Sequence, residues 1–204
     1  ANRSPVAVGA LVDESFGLDR LHEFMSAVDN VVVSLPLTME TRGLIDAAAL
    51  AETDWARIIY ENTAGSPQLL GRDFDETAEL IEMTGGPRRL GLCIDSCHLY
   101  ATGYDVATPE GMKHLVDEID AKVGLKQLKV LHVNDARDPR GSNRDLHAAI
   151  GQGTIGRKGL RAFLGEPRLQ KLPAVLETGR DGHAPDRKDV QLTRRLWREA
   201  TRKR

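Results

Sequence analysis

Leu90-Gly91-Leu92-Cys93-Ile94-Asp95 is a short apolar run that ends on an acid, and its form decides how the whole chain reads. A run this brief, bounded by Gly, Pro and Arg upstream, suits a strand covered on both faces rather than an amphipathic helix. The same form returns in RIIYEN at 57–62, LKVLHVN at 128–134 and PAVLE at 173–177. Between these runs lie helical patterns. DFDETAELIEM at 73–83 spaces its apolar residues helically, and 108–123 opens on Thr108-Pro109-Glu110, an N-cap followed by proline at the first helical position. Shorter helical runs follow at 157–164 and 189–200. Strand then helix, repeated, is the grammar of a (β/α) barrel or a doubly wound parallel sheet.

The first part of the chain continues this grammar. Strands are expected at 5–12 and 30–35 and helices at 18–27 and 41–51. The expected fold class is therefore α/β, built of about six βα units, where a complete TIM (β/α)8 barrel has eight and about 250 residues. The chain has 204 residues, no low-complexity linker and a formal net charge of −2. Such a charge argues against coating DNA by bulk electrostatics, so any nucleic-acid contact must be local. Cys93 and Cys97 lie in one apolar segment, too close in an extended strand for a disulfide and too few for a thiolate zinc site; they read as reduced packing residues. No run of eighteen apolar residues appears, and the first residues show no basic segment leading into an apolar one, so neither a membrane span nor a signal peptide is expected. The expected address is cytoplasmic. The chain opens on Ala1 and not Met, as a processed chain or a piece of a longer one would.

The chemistry lies at the strand ends. Glu61, Asp95, His132 and Glu177 each fall at or near the end of a successive strand, where parallel α/β folds gather functional groups. Burying three carboxylates with an imidazole is costly unless a cation neutralises them. His98 follows Asp95 in what reads as the loop after its strand, and Asp145 and His147 sit in the Gly- and Arg-rich loop after His132. Mixed imidazole and carboxylate ligation suits Zn²⁺, with Mn²⁺ or Fe²⁺ as alternatives, and is a poor match for Ca²⁺ or Mg²⁺. Seven such groups suffice for two ions, a standard device for phosphodiester cleavage. His22, His114 and His183 fall off this pattern, on helices or a surface loop.

These residues stand in motifs that resemble endonuclease IV. Tyr60-Glu61-Asn62-Thr63-Ala64-Gly65 resembles its ENTAG motif, and Gly91 to His98 with Ala101-Thr102-Gly103-Tyr104-Asp105 resembles its second signature. His132-Val133-Asn134-Asp135, Asp145-Leu146-His147 and Gly151-Gln152-Gly153-Thr154-Ile155-Gly156 are similar to the third, and Leu176-Glu177-Thr178 to the last ligand strand. The resemblance implies the second half of a TIM barrel and a zinc cluster that cleaves double-stranded DNA 5′ to apurinic/apyrimidinic sites in base excision repair. Glu61 would bridge two metals, Asp95, His132 and Glu177 would complete the second site, and His98, Asp145 and His147 would hold the third. Catalytic roles would fall to Glu61, Asp95 and Glu177. The loop residues Arg137, Arg140 and Arg144 would meet DNA phosphates, while Leu146 stands where that family carries a basic residue. The family's first metal takes two histidines from earlier strands, and here only His22 precedes Glu61. Two Zn²⁺ sites of an ancestral three are thus expected.

The first part resembles a different family. Asn30 to Thr38 followed by Glu40-Thr41-Arg42-Gly43-Leu44-Ile45 is similar to a strand and helix of the nucleotide-binding domain of D-2-hydroxyacid dehydrogenases, over roughly 11–51. No GxGxxG precedes it, so no nicotinamide cofactor is expected. The implied organisation is a Rossmann-like βα fragment over 1–56, joined near 55–59 to an endonuclease IV-like half-barrel over 57–204, as in a chimera or gene fusion. Two rival readings remain. A sugar isomerase or epimerase barrel would use similar strand-end ligands around one metal, which does not need seven of them. A catalytically inactive chimeric scaffold would keep the ligands as relics.

Overall fold

In a computed structural model of the chain, the residues described are 18–20, 23–24, 58–65, 71–83, 90–177 and 187–202. The chain divides into two compact units, Ala1–Ile58 and Ile59–Arg204. In the first, Leu18–Arg20 forms a 3-10 turn, and Arg20 Nε donates to Glu23 Oε2 at 2.7 Å. The strands expected at 5–12 and 30–35 and the helix at 41–51 lie outside the described residues.

The strands, in chain order, are β1 (Ile58–Glu61), β2 (Leu90–Asp95), β3 (Leu128–His132), β4 (Asp135–Ala136), β5 (His147–Ala148) and β6 (Ala174–Val175). The second unit is built on a four-stranded sheet in the order β1-β2-β3-β6. β2 with β3 and β3 with β6 run parallel, in a register that sets Asp95 against His132 and His132 against Val175. That register brings the strand ends, and the acids and histidine they carry, to one edge of the sheet. β2 is buried at all six positions, as a strand covered on both faces should be.

Helices fill the connections: α1 (Phe74–Met83), α2 (Ser96–Ala101), α3 (Pro109–Lys122), α4 (Gly156–Gly165) and α5 (Arg187–Thr201). α3 starts where Thr108 Oγ1 accepts from Gly111 N at 3.0 Å, with Pro109 following, and it buries Met112, Leu115, Val116 and Ile119 at helical spacing. The core runs between these helices and the sheet, with Phe74, Leu92, Ile94, Leu99, Ile119, Leu160 and Phe163 all at or near zero exposure. None of the described helices is long and apolar enough to cross a membrane.

The structure corrects the sequence reading in four places. His98 sits on α2, a helix, and not in a loop. Cys93 ends up on β2 and Cys97 on α2, so the two do not share an extended strand, although both are free thiols and buried. The strand read as 128–134 stops at His132, and β4 follows as a separate strand, paired antiparallel with β5. The last strand is two residues long instead of five, and its Val175 is 45% exposed.

Candidate metal centre

The centre is assembled from the ends of these elements. Asp95 is the last residue of β2 and also the N-cap of α2, its Oδ1 accepting from Cys97 N at 2.6 Å and His98 N at 3.0 Å. One carboxylate oxygen thus starts the helix and the other, Oδ2, turns to the cluster. Asn62, just past β1, ties the same strands together: its Oδ1 accepts from Asp95 N at 2.8 Å, and its carbonyl oxygen lies 2.7 Å from His98 Nδ1. A proton on Nδ1 donated to that carbonyl leaves His98 Nε2 with a lone pair for a ligand.

Among the described residues three overlapping groups of ligand atoms each gather within 4.8 Å: Glu61, Asp95, His132 and Glu177 in the first, His98, Asp145 and His147 in the second, and Asp95, Cys97 and His147 in a third that shares Asp95 with the first and His147 with the second. In the first, His132 Nδ1 stands 2.9 Å from Glu61 Oε1, 3.2 Å from Glu177 Oε2 and 3.8 Å from Asp95 Oδ2. In the second, Asp145 Oδ1 lies 3.1 Å from both His98 Nε2 and His147 Nε2. Glu61 Oε1 reaches the second group as well, 3.3 Å from His98 Nδ1. All seven residues singled out in the sequence are therefore brought together.

The electrostatics are those of a cluster that wants a cation. Burial alone would lower the pKa of His132, but Cys93, Glu177 and Glu61 outweigh it and push it up to about 12. Burial likewise opposes, and Asp145 with its neighbours overcomes, giving about 11 at His147 and about 9 at His98. The two histidines hold the Asp145 carboxyl well below the usual range, while burial raises that of Asp95. Without a metal, protons on the imidazoles take the cation's place. Yet His98 Nε2 and His147 Nε2 are buried with no hydrogen-bond partner. Unsatisfied imidazole nitrogens converging on one carboxylate oxygen, beside a second nitrogen-and-carboxylate group, have the donor chemistry of a metal site.

Sequence reasoning missed the residue that holds the two distant carboxylates. Asn134 is wholly buried, and its Nδ2 donates to Asp95 Oδ2 and, at 3.2 Å, to Glu177 Oε2. Its Oδ1 accepts from Glu177 N at 3.0 Å. Glu177 lies two residues beyond a two-residue strand, so Asn134 supplies the fixing that the short strand does not. The available signal was its place in His132-Val133-Asn134-Asp135, two residues after a candidate ligand.

Asp135 and Gly153 of the third motif prove structural. Asp135 Oδ1 accepts from Ala136 N and Gly156 N, and Oδ2 from Gly153 N at 2.9 Å. Of the loop arginines, Arg137 is exposed, Arg144 pairs with Asp138 at 3.2 Å, and Arg140 lies 3.8 Å from Asp105. His114 is exposed on α3, away from the centre, and His22 and His183 lie outside the described residues.

Residues 17–200 match the family described as the xylose isomerase-like TIM barrel. A probable endonuclease 4 of Chlorobium limicola is 45% identical over 120 residues, covering 59% of this chain and 41% of that protein. Another, from Campylobacter curvus, is 38% identical over 148 residues, covering 72% of this chain and 52% of that protein. The chain thus spans about half the length of the curated relatives it matches. Among solved structures, the crystal structure of endonuclease IV from Thermus thermophilus superposes with a TM-score of 0.69 at 31% identity, covering 89% of this chain and 68% of that one.

Proposed function

Because the chain belongs to the endonuclease IV family of xylose isomerase-like TIM barrels, we propose that it is a zinc-dependent phosphodiesterase that cleaves DNA 5′ to apurinic/apyrimidinic sites, as in base excision repair. The observation that carries this reading is the paired ligand cluster, in which Glu61 Oε1 lies 2.9 Å from His132 Nδ1 and 3.3 Å from the ring of His98, so that the two groups lie side by side. Seven ligands in two adjacent groups exceed what a single-metal sugar isomerase requires. They suit a reaction in which both the attacking and the leaving oxygen of a phosphodiester need stabilising. Zinc bound here would supply a Lewis acid and water of lowered pKa.

The chain's own residues have separable roles in this reading. Glu61, Asp95 and Glu177 bring carboxylate oxygens around His132 Nδ1 and would hold one ion there. His98 and His147 present Nε2 toward Asp145, and the Asn62 carbonyl fixes the tautomer of the former. The proposed partner is double-stranded DNA carrying abasic sites, approached from the loop holding Arg137, Arg140 and Arg144. With His22 the only histidine before Glu61, a third ion lacks its family ligands, and turnover is expected to be slow.

Metal content and strand nicking test this together. Purified protein loaded with Zn²⁺ and desalted should retain about two ions per chain and nick an abasic duplex, leaving a 3′ hydroxyl. Glu177→Ala should lower the nicking rate by about a hundredfold or more. Two zincs without nicking would favour an inactive scaffold, and no retained zinc would defeat the reading altogether.

A further inference from the structure

The chain as a whole is net −2, yet its last eighteen residues hold eight of the 28 Lys and Arg and only two of the 30 Asp and Glu. Six of these cations lie on or just past α5: Arg187, Lys188, Arg194, Arg195, Arg198 and Arg202, all exposed. At 100° per residue they fall within about one third of the helix circumference. The other residue in that third is Gln191, so no acid interrupts it. The opposite side buries Thr193 and Leu196. Glu199, at the margin, is already held by Arg195 at 3.0 Å and by Arg161 of α4 at 3.6 Å. The stripe therefore keeps an excess of positive charge along about 22 Å, a length that matches six or seven base-pair steps of duplex.

We infer that this face of α5 is a docking surface for the sugar-phosphate backbone of DNA, separate from the metal centre. The choice of DNA rests on the reading proposed above, in which DNA is the substrate. Arginine, which makes up five of the six cations, binds phosphate oxygens through paired N–H donors. An anionic membrane would instead require a broad apolar side on the helix, and here that side buries Thr193 and Leu196 and leaves Trp197, at 42%, as its exposed large hydrophobic. The surface holds undamaged duplex without reading its sequence and so raises the local concentration of substrate.

The test is binding of an undamaged duplex as a function of salt, for the parent and a variant carrying Arg187→Gln, Arg194→Gln, Arg198→Gln and Arg202→Gln. The parent's slope of log affinity on log salt should be steeper than the variant's by about 3.6, near 0.9 for each of the four lost phosphate contacts. On abasic duplex the variant should show a raised KM and an unchanged kcat. Should the fourfold variant fail to fold, Arg187→Gln and Arg198→Gln singly should each flatten the slope by about 0.9. Equal slopes in parent and variants overturn the inference even if the parent nicks DNA. Loss of binding to vesicles of anionic phospholipid, with duplex binding unchanged, overturns it in favour of a lipid surface. A flattened slope in a protein that neither retains zinc nor nicks sustains the docking surface and removes the proposed reaction alone.

Discussion

Asn134 shows what one uncharged side chain does inside a charged cluster. Its amide donates to two carboxylates and accepts from the Glu177 backbone, so it holds both acids in place without adding to their mutual repulsion. Asn134→Ala should weaken zinc retention about 10- to 100-fold, read by competition with a chelator. It should also cost about 1–3 kcal/mol of stability, because buried Asp95 and the Glu177 N–H lose partners. Asn134→Asp should be worse for the metal-free protein, since it places a third carboxylate against Asp95 and Glu177. Zinc affinity equal to the parent's in both variants would show that the asparagine does not position ligands. His98 makes the complementary point. With Nδ1 committed to the Asn62 carbonyl at 2.7 Å, its tautomer is settled by the backbone of a neighbouring strand.

At the scale of elements, Gly153 sets the shape of the ligand loop. A Cβ there would lie 2.3 Å from Ala136 O and 2.5 Å from Asp135 Oδ1, and backbone cannot yield as a flexible side chain would. Gly153→Ala should destabilise the protein by about 1–3 kcal/mol in urea denaturation and loosen the loop that carries Asp145 and His147. By contrast, Thr108→Ala removes one N-cap bond from α3 and should cost about 1 kcal/mol with zinc retention unchanged. The long elements were legible in the sequence because burial writes a period: the apolar run of 90–95, and Met112, Leu115, Val116 and Ile119 along α3. α2 was not, since six residues give barely more than one turn and its N-cap, Asp95, reads equally well as a ligand. The two-residue strands β4 and β5 have no periodicity to read, so the loop between β3 and α4 gave no sign of its antiparallel ladder. The ligands themselves were legible for another reason: parallel strands end together, and chemistry-bearing residues at those ends meet whatever the loops do.

For the whole molecule, a bound metal would compete with protons for the same nitrogens. In the metal-free protein His98, His132 and His147 are raised to about 9, 12 and 11, above the ordinary 6.5. The folded form then binds more protons than the unfolded form, so their contribution to stability is complete below about pH 6.5 and is lost as pH rises through about 9 to 12. Zinc-loaded protein should behave in the opposite sense. Its imidazoles are deprotonated when folded and protonated when unfolded at low pH, so stability climbs until about pH 6.5 and then levels. Thermal unfolding of both forms between pH 5 and 10 should give curves that diverge as pH rises. Parallel curves would mean that the imidazoles do not bind the ion. The same measurement gives the effect of chelation, a lower Tm that is greatest on the alkaline side.

Asp95 and Asp145 stand at opposite ends of a scale of replaceability. Asp95 is completely buried and spends one oxygen on starting α2, so a lineage that abandoned the metal would still be under selection to keep it. Asp145, 55% exposed and set between His98 and His147, answers only the charge of those two histidines and would be free to drift together with them. Retention of the acid at Asp95 among descendants of this chain therefore says little about whether they still use an ion. What happens at Asp145 reports it.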